Sequence, residues 1–307
     1  MFSNHLEGNL ASSIIFVIAG VSTILNLLVT IVAFKLDPTA NVDIIITLLI
    51  SLVDLVISLF YFISQIAIWI SDNPLLTDGS VLCWFNSVIS EFFSSNTVTF
   101  LSILALIRYL SVVKKIKISY LIIILSTVAI FLFNLGMLIG DFAISIPKVM
   151  LNDNYCRPRR VVEGKMAKIF IDVYNSVLLA KYAIFIMVTY FSYIGIVLFR
   201  YKTTLNSLYR RSIDSDVLQK HFNNSVKKKV YIFFFKAILL LIGYTLAVIP
   251  DLISLILYVA FNLKLTPALD LVCTVLRSLI PLLNPLFVLM LQEGVYYTLK
   301  GLFLNKS

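Results

Sequence analysis

Residues 83–109 read CWFNSVISEFFSSNTVTFLSILALIRY, a stretch that begins with Cys83, ends with Arg108 and Tyr109, and carries one other charged residue, Glu91. It shows no alternation with a period of two residues, so we predict a helix and not the membrane β-strands of about 10 residues that form barrels. At about 1.5 Å per residue, the helix from Cys83 to Arg108 is about 37 Å long. It is therefore long enough to cross a bilayer and to place Cys83 at one surface and Arg108 at the other.

The composition of the whole chain is typical of a membrane protein. The 307 residues are 60% hydrophobic and 13% charged, whereas soluble domains contain about 25% charged residues. The net charge of +9 favours basic cytoplasmic loops that face anionic lipid over a surface that binds nucleic acid. We therefore expect membrane lipids, and no nucleic acid, among the partners, and the spans leave no room for a separate soluble catalytic domain.

Six further runs of similar length carry few or no charges. The predicted spans are residues 8–34, 44–71, 79–107, 118–140, a fifth that starts between residues 173 and 181 and ends at 199, 230–263, and 266–291. We predict an all-α membrane protein with a seven-transmembrane helix bundle in residues 12–291. A tail of residues 1–11 precedes it, and a short interfacial helix and tail follow in residues 292–307. The side chains of that helix expected to face the membrane are Val295, Tyr296, Leu299, Leu302 and Phe303.

The distribution of lysine and arginine predicts the orientation of the bundle. The short loops at one end carry almost no basic residues apart from Lys264, whereas those at the other end are rich in them. The positive-inside rule then places the N-terminus outside and the C-terminus in the cytoplasm of a plasma-membrane protein. The basic loop of residues 147–181 is an exception, and long loops count for less in this rule. The predicted inner residues are Lys35, Lys114, Lys115, Lys117, residues 200–229, Lys300 and Lys306.

The chain has three cysteines. Cys156 lies in the long outer loop, so in an oxidising compartment it can form a disulfide with Cys83 at the outer end of the third span. The alternative is that both remain unpaired thiols. We expect Cys273, inside the seventh span, to be a small buried apolar residue.

Polar residues inside the spans form a recognisable set. They are Asn26 in the first span, Asp54 in the second, Cys83 and Ile107-Arg108-Tyr109 in the third, and Asn284-Pro285 in the seventh. This set resembles the rhodopsin-like G protein-coupled receptors, and the resemblance extends over all seven spans. In that family an acidic-Arg-Tyr triplet ends the third helix and an Asn-Pro-x-x-Tyr motif lies in the seventh.

Several positions depart from the family pattern. Ile107 replaces the acidic neighbour of Arg108, and Val230 offers no acidic partner from the sixth span. Val248 stands where the family often has tryptophan, Val288 replaces the tyrosine of the Asn-Pro motif, and the fourth span has no tryptophan. The chain therefore resembles a divergent member that lacks residues of the usual inactive-state locks and of the usual rotamer switch.

The resemblance implies a polar centre around Asp54. An ionised carboxylate in the middle of a membrane costs at least about 2.5 kcal/mol unless it is paired or hydrated. By resemblance, Asp54 faces Thr97 and Asn284, with Asn26 nearby, in a pocket able to hold water or Na⁺. The alternative is hydrogen-bonded packing of the helices without an ion.

The resemblance also implies a switch at the inner end. Arg108 rests against inner-helix groups and is released to a cytoplasmic partner when the sixth helix swings outward, with Tyr193 as a companion. The alternative is a cation that merely extends to the membrane surface. Pro250 should kink the sixth helix, either as a lever or only to improve packing. The residues assigned to activation and coupling are Arg108, Tyr109, Tyr193, Pro250, Asn284 and Pro285.

Isolated charges in the outer halves of the spans indicate a ligand pocket. We predict that Ser90, Glu91, Asp251 and Arg277 line it, because bare charges at this depth must pair or meet a ligand. The alternative is a salt bridge between Glu91 and Arg277. Ser278 stands where opsins carry their retinal-binding lysine, so we expect no chromophore and no other cofactor.

These features lead to one main functional expectation. We expect a receptor that binds an unknown extracellular ligand and couples to a heterotrimeric G protein. A seven-span transporter or channel, whose path Asp54, Lys236 and Arg277 would line, and a chemosensory receptor of unrelated ancestry remain alternatives. An enzyme is not expected, because the sequence offers no catalytic triad, phosphate-binding glycine loop or metal site.

Overall fold

The computed structural model describes residues 2–36, 42–70, 76–116, 118–149, 156–160, 165–211, 218–261 and 267–304. Over these ranges, seven helical segments are long and apolar enough to cross a membrane, and they confirm the predicted multi-pass helix bundle. We number them as spans in chain order. The first to seventh spans are Ser12–Lys35, Val42–Ile70, Val81–Val112, Tyr120–Phe142, Lys168–Thr203, Phe234–Ser254 and Leu271–Met290.

The helices themselves extend beyond several of the spans. Because Leu218–Phe261 and Lys165–Arg211 run past the apolar stretches, much of the predicted inner loop of residues 200–229 is helical, which corrects that prediction. Hydropathy reports where the membrane lies and not where a helix ends. The helices are Phe2–Lys35, Val42–Ile70, Val81–Val88, a π-helical turn Ile89–Phe93, Ser94–Val112, Tyr120–Ile144, Lys165–Arg211, Leu218–Phe261, Pro267–Ser278, Ile280–Leu291 and Glu293–Leu304.

The third span lies at the centre of the bundle. In its most apolar window 67% of residues are buried, against 11% for the fourth span. This position explains its many small polar residues, since they meet other helices and not lipid. The helix begins at Ser80, whose side chain accepts a hydrogen bond from the backbone N–H of Cys83 at 3.1 Å.

A β-hairpin lies between the fourth and fifth spans. Strands Ser145–Val149 and Cys156–Arg160 pair antiparallel, with Val149 opposite Cys156. Cys156 forms a disulfide with Cys83, and its backbone N–H donates to Asn86 Oδ1 at 2.8 Å. The predicted disulfide is therefore present, and it fixes the hairpin to the third span. We call this the disulfide end of the bundle, and the opposite end the Arg108 end.

The seventh span is interrupted at Leu279, between helices Pro267–Ser278 and Ile280–Leu291. Pro285 has no N–H, so it cannot donate to the carbonyl of Pro281 one turn earlier. Asn26 supplies the missing donor, because its Nδ2 lies 2.8 Å from that carbonyl oxygen. The asparagine of the first span therefore stabilises the broken part of the seventh.

The helix that follows the seventh span packs partly against the bundle. Val295 is buried with Val29, Val32 and Val288, and Leu299 packs against the same cluster. The expectation that Val295 faces the membrane is therefore wrong, whereas Leu299 is only partly buried and Tyr296 is exposed. The predictions for Lys117, Lys264, Lys306 and the side chains of Asp251, Leu302 and Phe303 concern positions outside the described part of the chain.

Candidate functional site

Asp54 lies at the polar centre of the bundle and is fully buried. Thr97 Oγ1 donates to Asp54 Oδ1 at 2.8 Å, and Asn284 Nδ2 donates to Asp54 Oδ2 at 2.7 Å. The structure thus brings together the three residues that the resemblance grouped, one from each of the second, third and seventh spans. Among the described residues, no group of three or more His, Cys, Asp or Glu side chains is placed to hold a metal ion.

Asn26 does not donate a hydrogen bond to Asp54. Its side-chain amide donates to the Ser22 carbonyl at 2.9 Å and to the Pro281 carbonyl at 2.8 Å. Each carboxylate oxygen of Asp54 accepts one hydrogen bond from a neutral donor, so hydrogen bonds to Asp54 join the second, third and seventh spans.

Arg108 is turned into the protein at the opposite end. Its Nε lies 3.2 Å from Asp43 Oδ2, and its Nη1 donates to the Tyr193 hydroxyl at 3.4 Å. Asp43 stands in the first turn of the second helix, where a carboxylate also interacts favourably with the helix dipole. Arg108 is therefore held by the second and fifth spans.

Asp43 was not identified from the sequence as the partner of Arg108. Only two positions were considered for an acidic partner, Ile107 beside Arg108 and Val230 of the sixth span, and neither is acidic. Asp43 directly precedes the predicted start of the second span, and it was therefore not considered among the charges within the spans. The signal was a carboxylate at the boundary of a helix whose inner end must lie near Arg108. Tyr193, in contrast, was named as a companion of Arg108, and its hydroxyl accepts a hydrogen bond from Arg108 Nη1.

A cavity of about 280 Å³ borders this group. It lies between the ends of the first, second, third and fifth spans and the last helix. Arg108 Nη2 is buried and has no hydrogen-bond partner among the described residues. The residues that line the cavity are Leu36, Asp43, Ile44, Arg108, Val112, Tyr193, Ile196, Arg200, Gln292, Gly294 and Val295.

Tyr109 has a packing role at the same end. Its ring lies against the backbone of Gly195 so closely that a Cβ built there would be 2.5 Å from the ring. The third and fifth spans can approach this closely only because residue 195 is glycine. Pro250 lies inside the sixth helix, and Pro285 inside the seventh.

Two of the four residues predicted to line a ligand pocket, Glu91 and Arg277, contact each other at the disulfide end. Arg277 Nη1 lies 2.9 Å from Glu91 Oε1, which is the salt bridge considered as the alternative. Glu91 stands in the π-helical turn of the third span, a feature that occurs frequently at functional sites. The Ser90 hydroxyl donates to the Ser87 carbonyl at 3.2 Å, so it serves its own helix.

Lys181 is a buried residue that the sequence analysis missed. It was treated as one limit for the start of the fifth span, yet it is 6% exposed within that span. Its Nζ donates to Asn134 Oδ1 at 2.8 Å and to the Ser95 hydroxyl. Asn134 Nδ2 in turn donates to Asn96 Oδ1 at 2.9 Å. A lysine inside an apolar run, with a lone asparagine in the fourth span, was the available signal.

Comparison of the chain with protein-family models found no match, and comparison with curated protein sequences found none either. A functional assignment therefore depends on the geometry of the bundle.

Proposed function

We propose that the chain is a divergent rhodopsin-like receptor of the plasma membrane that binds an extracellular ligand and signals through a heterotrimeric G protein. The ligand enters at the disulfide end, which faces outside, and the G protein binds at the Arg108 end in the cytoplasm. At both ends, charged side chains of the spans pair with each other inside the bundle, at positions where a charge facing lipid would be costly.

The position of Arg108 is the observation that carries this proposal. An arginine that only anchors a helix in the membrane surface extends its charged group toward water. Arg108 instead turns inward, binds Asp43 and Tyr193, and keeps one buried Nη2 without a partner beside a cavity. Such a guanidinium is suited to bind carbonyl oxygens of a segment that enters the cavity once the ion pair opens.

The connection between the two ends runs through the centre of the bundle. Asp54 joins the second, third and seventh spans, and an apolar cluster that includes Leu101, Tyr244 and Val248 packs the sixth span against the third and seventh. The Tyr244 hydroxyl is buried and has no hydrogen-bond partner among the described residues. An unsatisfied hydroxyl on the helix that contains Pro250 favours a second arrangement of the sixth span in which the hydroxyl finds a partner.

The mechanism is a shift in population between these two arrangements. A ligand that binds one arrangement better raises its population by its differential affinity and by nothing else. The kink at Pro250 allows a small change at the outer half of the sixth helix to become a larger displacement at the inner half. That displacement opens the Asp43–Arg108 pair to the G protein.

Nucleotide exchange tests the proposal. The chain is reconstituted in nanodiscs with a panel of purified heterotrimers that covers the main Gα classes, and ligand-free GTP analogue uptake is measured. We expect uptake above empty nanodiscs with at least one class, and its loss in Arg108→Ala. Lys114→Ala is the matched control, because Lys114 lies just beyond the third span and is not among the hydrogen-bond or ion-pair partners of Arg108 in the described part of the chain.

The same preparation distinguishes the alternatives. A transporter or channel would carry solute across proteoliposomes without exchange on any Gα class. A chemosensory receptor of unrelated ancestry would show neither activity. Either result, with folded protein demonstrated by a cooperative thermal transition, would overturn the proposal.

A further inference from the structure

We infer that the cavity at the Arg108 end is a second ligand site of the chain and that it binds a small neutral amide. Arg108 donates a hydrogen bond to the carbonyl oxygen of the ligand, and Gln292 accepts one from its N–H. Binding of the amide does not depend on the proposed function. Its consequence, competition with the G protein for the cavity, rests on that function.

Two residues that line the cavity each carry a buried polar atom without a hydrogen-bond partner in the part of the chain that the structure describes. These atoms are Arg108 Nη2, a donor, and Gln292 Oε1, an acceptor. The rest of the Arg108 guanidinium is engaged, because Nε binds Asp43 and Nη1 binds Tyr193. Burial without a partner costs free energy at both atoms. A ligand that offers one acceptor and one donor removes both costs.

Gln292 is placed for this role by the break between the last two helices. It stands between Ile280–Leu291 and Glu293–Leu304 with an extended backbone (φ −100°, ψ 95°). Its Nε2 donates to the Thr47 hydroxyl of the second span at 2.7 Å. Because Nε2 is used in this way, the oxygen is the end of the side-chain amide that is left for a ligand.

The two unpartnered atoms select the chemical class of the ligand. A carboxylate or a ketone offers acceptors alone and leaves Gln292 Oε1 unpaired, whereas an ammonium offers donors alone and leaves Arg108 Nη2 unpaired. An amide carries an acceptor and a donor on two different atoms and has no net charge. It therefore matches a donor on the third span and an acceptor just beyond the seventh.

The size and the walls of the cavity set the body of the ligand. A volume of about 280 Å³ is just below the range of about 300 to 1,000 Å³ that holds drug-sized ligands, so the ligand is compact. Part of the wall is apolar, which favours a hydrocarbon body over water. The aliphatic side chains of the wall are those of Leu36, Ile44, Val112, Ile196 and Val295.

Direct binding to the purified chain in phosphatidylcholine nanodiscs, without any G protein, tests the inference. The probes are benzamide, acetophenone, 1-phenylethanol and benzoate, which share one ring and differ in one group. Acetophenone has the shape of benzamide but a methyl group in place of the amide nitrogen, so it keeps the acceptor and loses the donor. Saturation-transfer NMR titrations report affinity, and empty nanodiscs correct for partition into lipid.

We expect benzamide to bind about fivefold more tightly than acetophenone, which is the effect of one hydrogen bond. Partition into an apolar space would give the opposite order, because an amide is costlier to remove from water than a ketone. Benzoate and 1-phenylethanol should also bind more weakly than benzamide. Any of these three probes binding as tightly as benzamide would overturn the inference, and so would the binding of none of the four.

Two variants assign the two hydrogen bonds. Gln292→Met should abolish the preference for benzamide over acetophenone, whereas Arg108→Met should weaken both probes about tenfold, the effect of losing a charged donor. The matched control is Gln65→Met, which removes a buried glutamine from the other end of the second span and should leave the preference unchanged. If Gln292→Met weakened both probes equally, Gln292 would have only a structural role. The preference is a ratio measured on one protein sample, so it does not depend on the fraction of the chain that folds.

N-acetylglycinamide separates two sources of an amide group. It carries the same group as benzamide on a polar body that resembles a peptide main chain. The apolar part of the wall predicts weaker binding than that of benzamide. Equal or tighter binding would assign the cavity to a polypeptide and overturn the small-molecule site.

Nucleotide exchange tests the consequence. With a Gα class that responds to the ligand-free chain, benzamide should lower exchange, and acetophenone should need about a fivefold higher concentration for the same effect. Bound benzamide that leaves exchange unchanged would overturn the competition. The binding preference without exchange on any Gα class refutes the signalling function alone, and exchange without the binding preference refutes the amide site alone.

Discussion

The two ends of the bundle hold similar ion pairs but are fastened differently. Arg277 and Glu91 at the disulfide end have side-chain exposures of 14% and 29%, and Arg108 and Asp43 at the other end have 10% and 31%. The disulfide end is in addition closed by a covalent bond between Cys83 and Cys156. At the Arg108 end, the ion pair borders a cavity of about 280 Å³.

Under the proposed function, this difference would give the two ends separate tasks. A covalent bond holds the third span and the hairpin in place, so the charges at the disulfide end lie in a fixed frame. An ion pair with a partly exposed carboxylate opens at a small cost. The disulfide end is therefore suited to hold a ligand, and the Arg108 end is suited to move.

The largest effect should follow from opening the disulfide. We expect Cys156→Ser to lower the melting temperature and the amount of folded protein sharply, since a loop with a sequence separation of 73 residues corresponds to a stabilisation of about 4 kcal/mol in the chain-entropy model. Thermal unfolding in nanodiscs measures it. The double variant Cys83→Ser/Cys156→Ser should lose no more thermal stability than the single variant, because both lack the same disulfide. A single variant with wild-type stability would show that the end is fixed by other contacts.

A smaller effect should follow from breaking the centre that lies between the two ends. Asp54→Ala leaves the donors of Thr97 and Asn284 buried without a partner, and each such group costs about 1 to 3 kcal/mol. We expect a lower melting temperature and ligand binding that no longer alters nucleotide exchange. Asp54→Asn keeps the shape of the side chain and one acceptor oxygen, so its melting temperature should fall less than that of Asp54→Ala. Equal melting temperatures for the two variants would contradict this.

The same substitution at both ends should then separate their tasks. Asp43→Asn removes an ion pair of about 1 kcal/mol, which corresponds to about a fivefold change in population, so ligand-free nucleotide exchange should rise about fivefold. Glu91→Gln removes the corresponding charge at the other end and should change ligand-free exchange by less than about twofold. The exposed Asp78→Asn serves as control. If Glu91→Gln raised exchange as much as Asp43→Asn, the division of tasks would be wrong.

The parts of the fold that follow from bilayer thickness were predictable from the sequence. The spans and the disulfide depend on the length of apolar runs and on positions within them, whereas the grouping of Asp54 with Thr97 and Asn284 was implied by the family resemblance. The ends of the fifth and sixth helices were not predictable in this way, because polar residues continue a helix into water as well as they form a loop.

The site residues that were missed depend on how helices rotate and pack. Asp43 and Arg108 lie on different helices, and no local pattern reports which faces of two helices meet. Lys181 stood at an ambiguous boundary, and the hydrogen bonds that explain its burial come from the third and fourth spans. Val295 reads as a membrane-facing residue by periodicity, but the first span covers it.

The smallest expected effect concerns ionic strength. Raising KCl from about 0.05 M to about 0.5 M shortens the Debye length from about 14 Å to about 4 Å, and the Asp43 carboxylate is 31% exposed. Screening should weaken the Asp43–Arg108 pair and raise ligand-free exchange less than about twofold.

Salt also acts on the contact with the G protein, so the quantity to measure is the ratio of the wild-type exchange rate to the Asp43→Asn exchange rate at each concentration. That ratio should approach one as the salt rises, because the variant has no pair left to screen. A ratio independent of salt would place the closing interaction of the Arg108 end elsewhere.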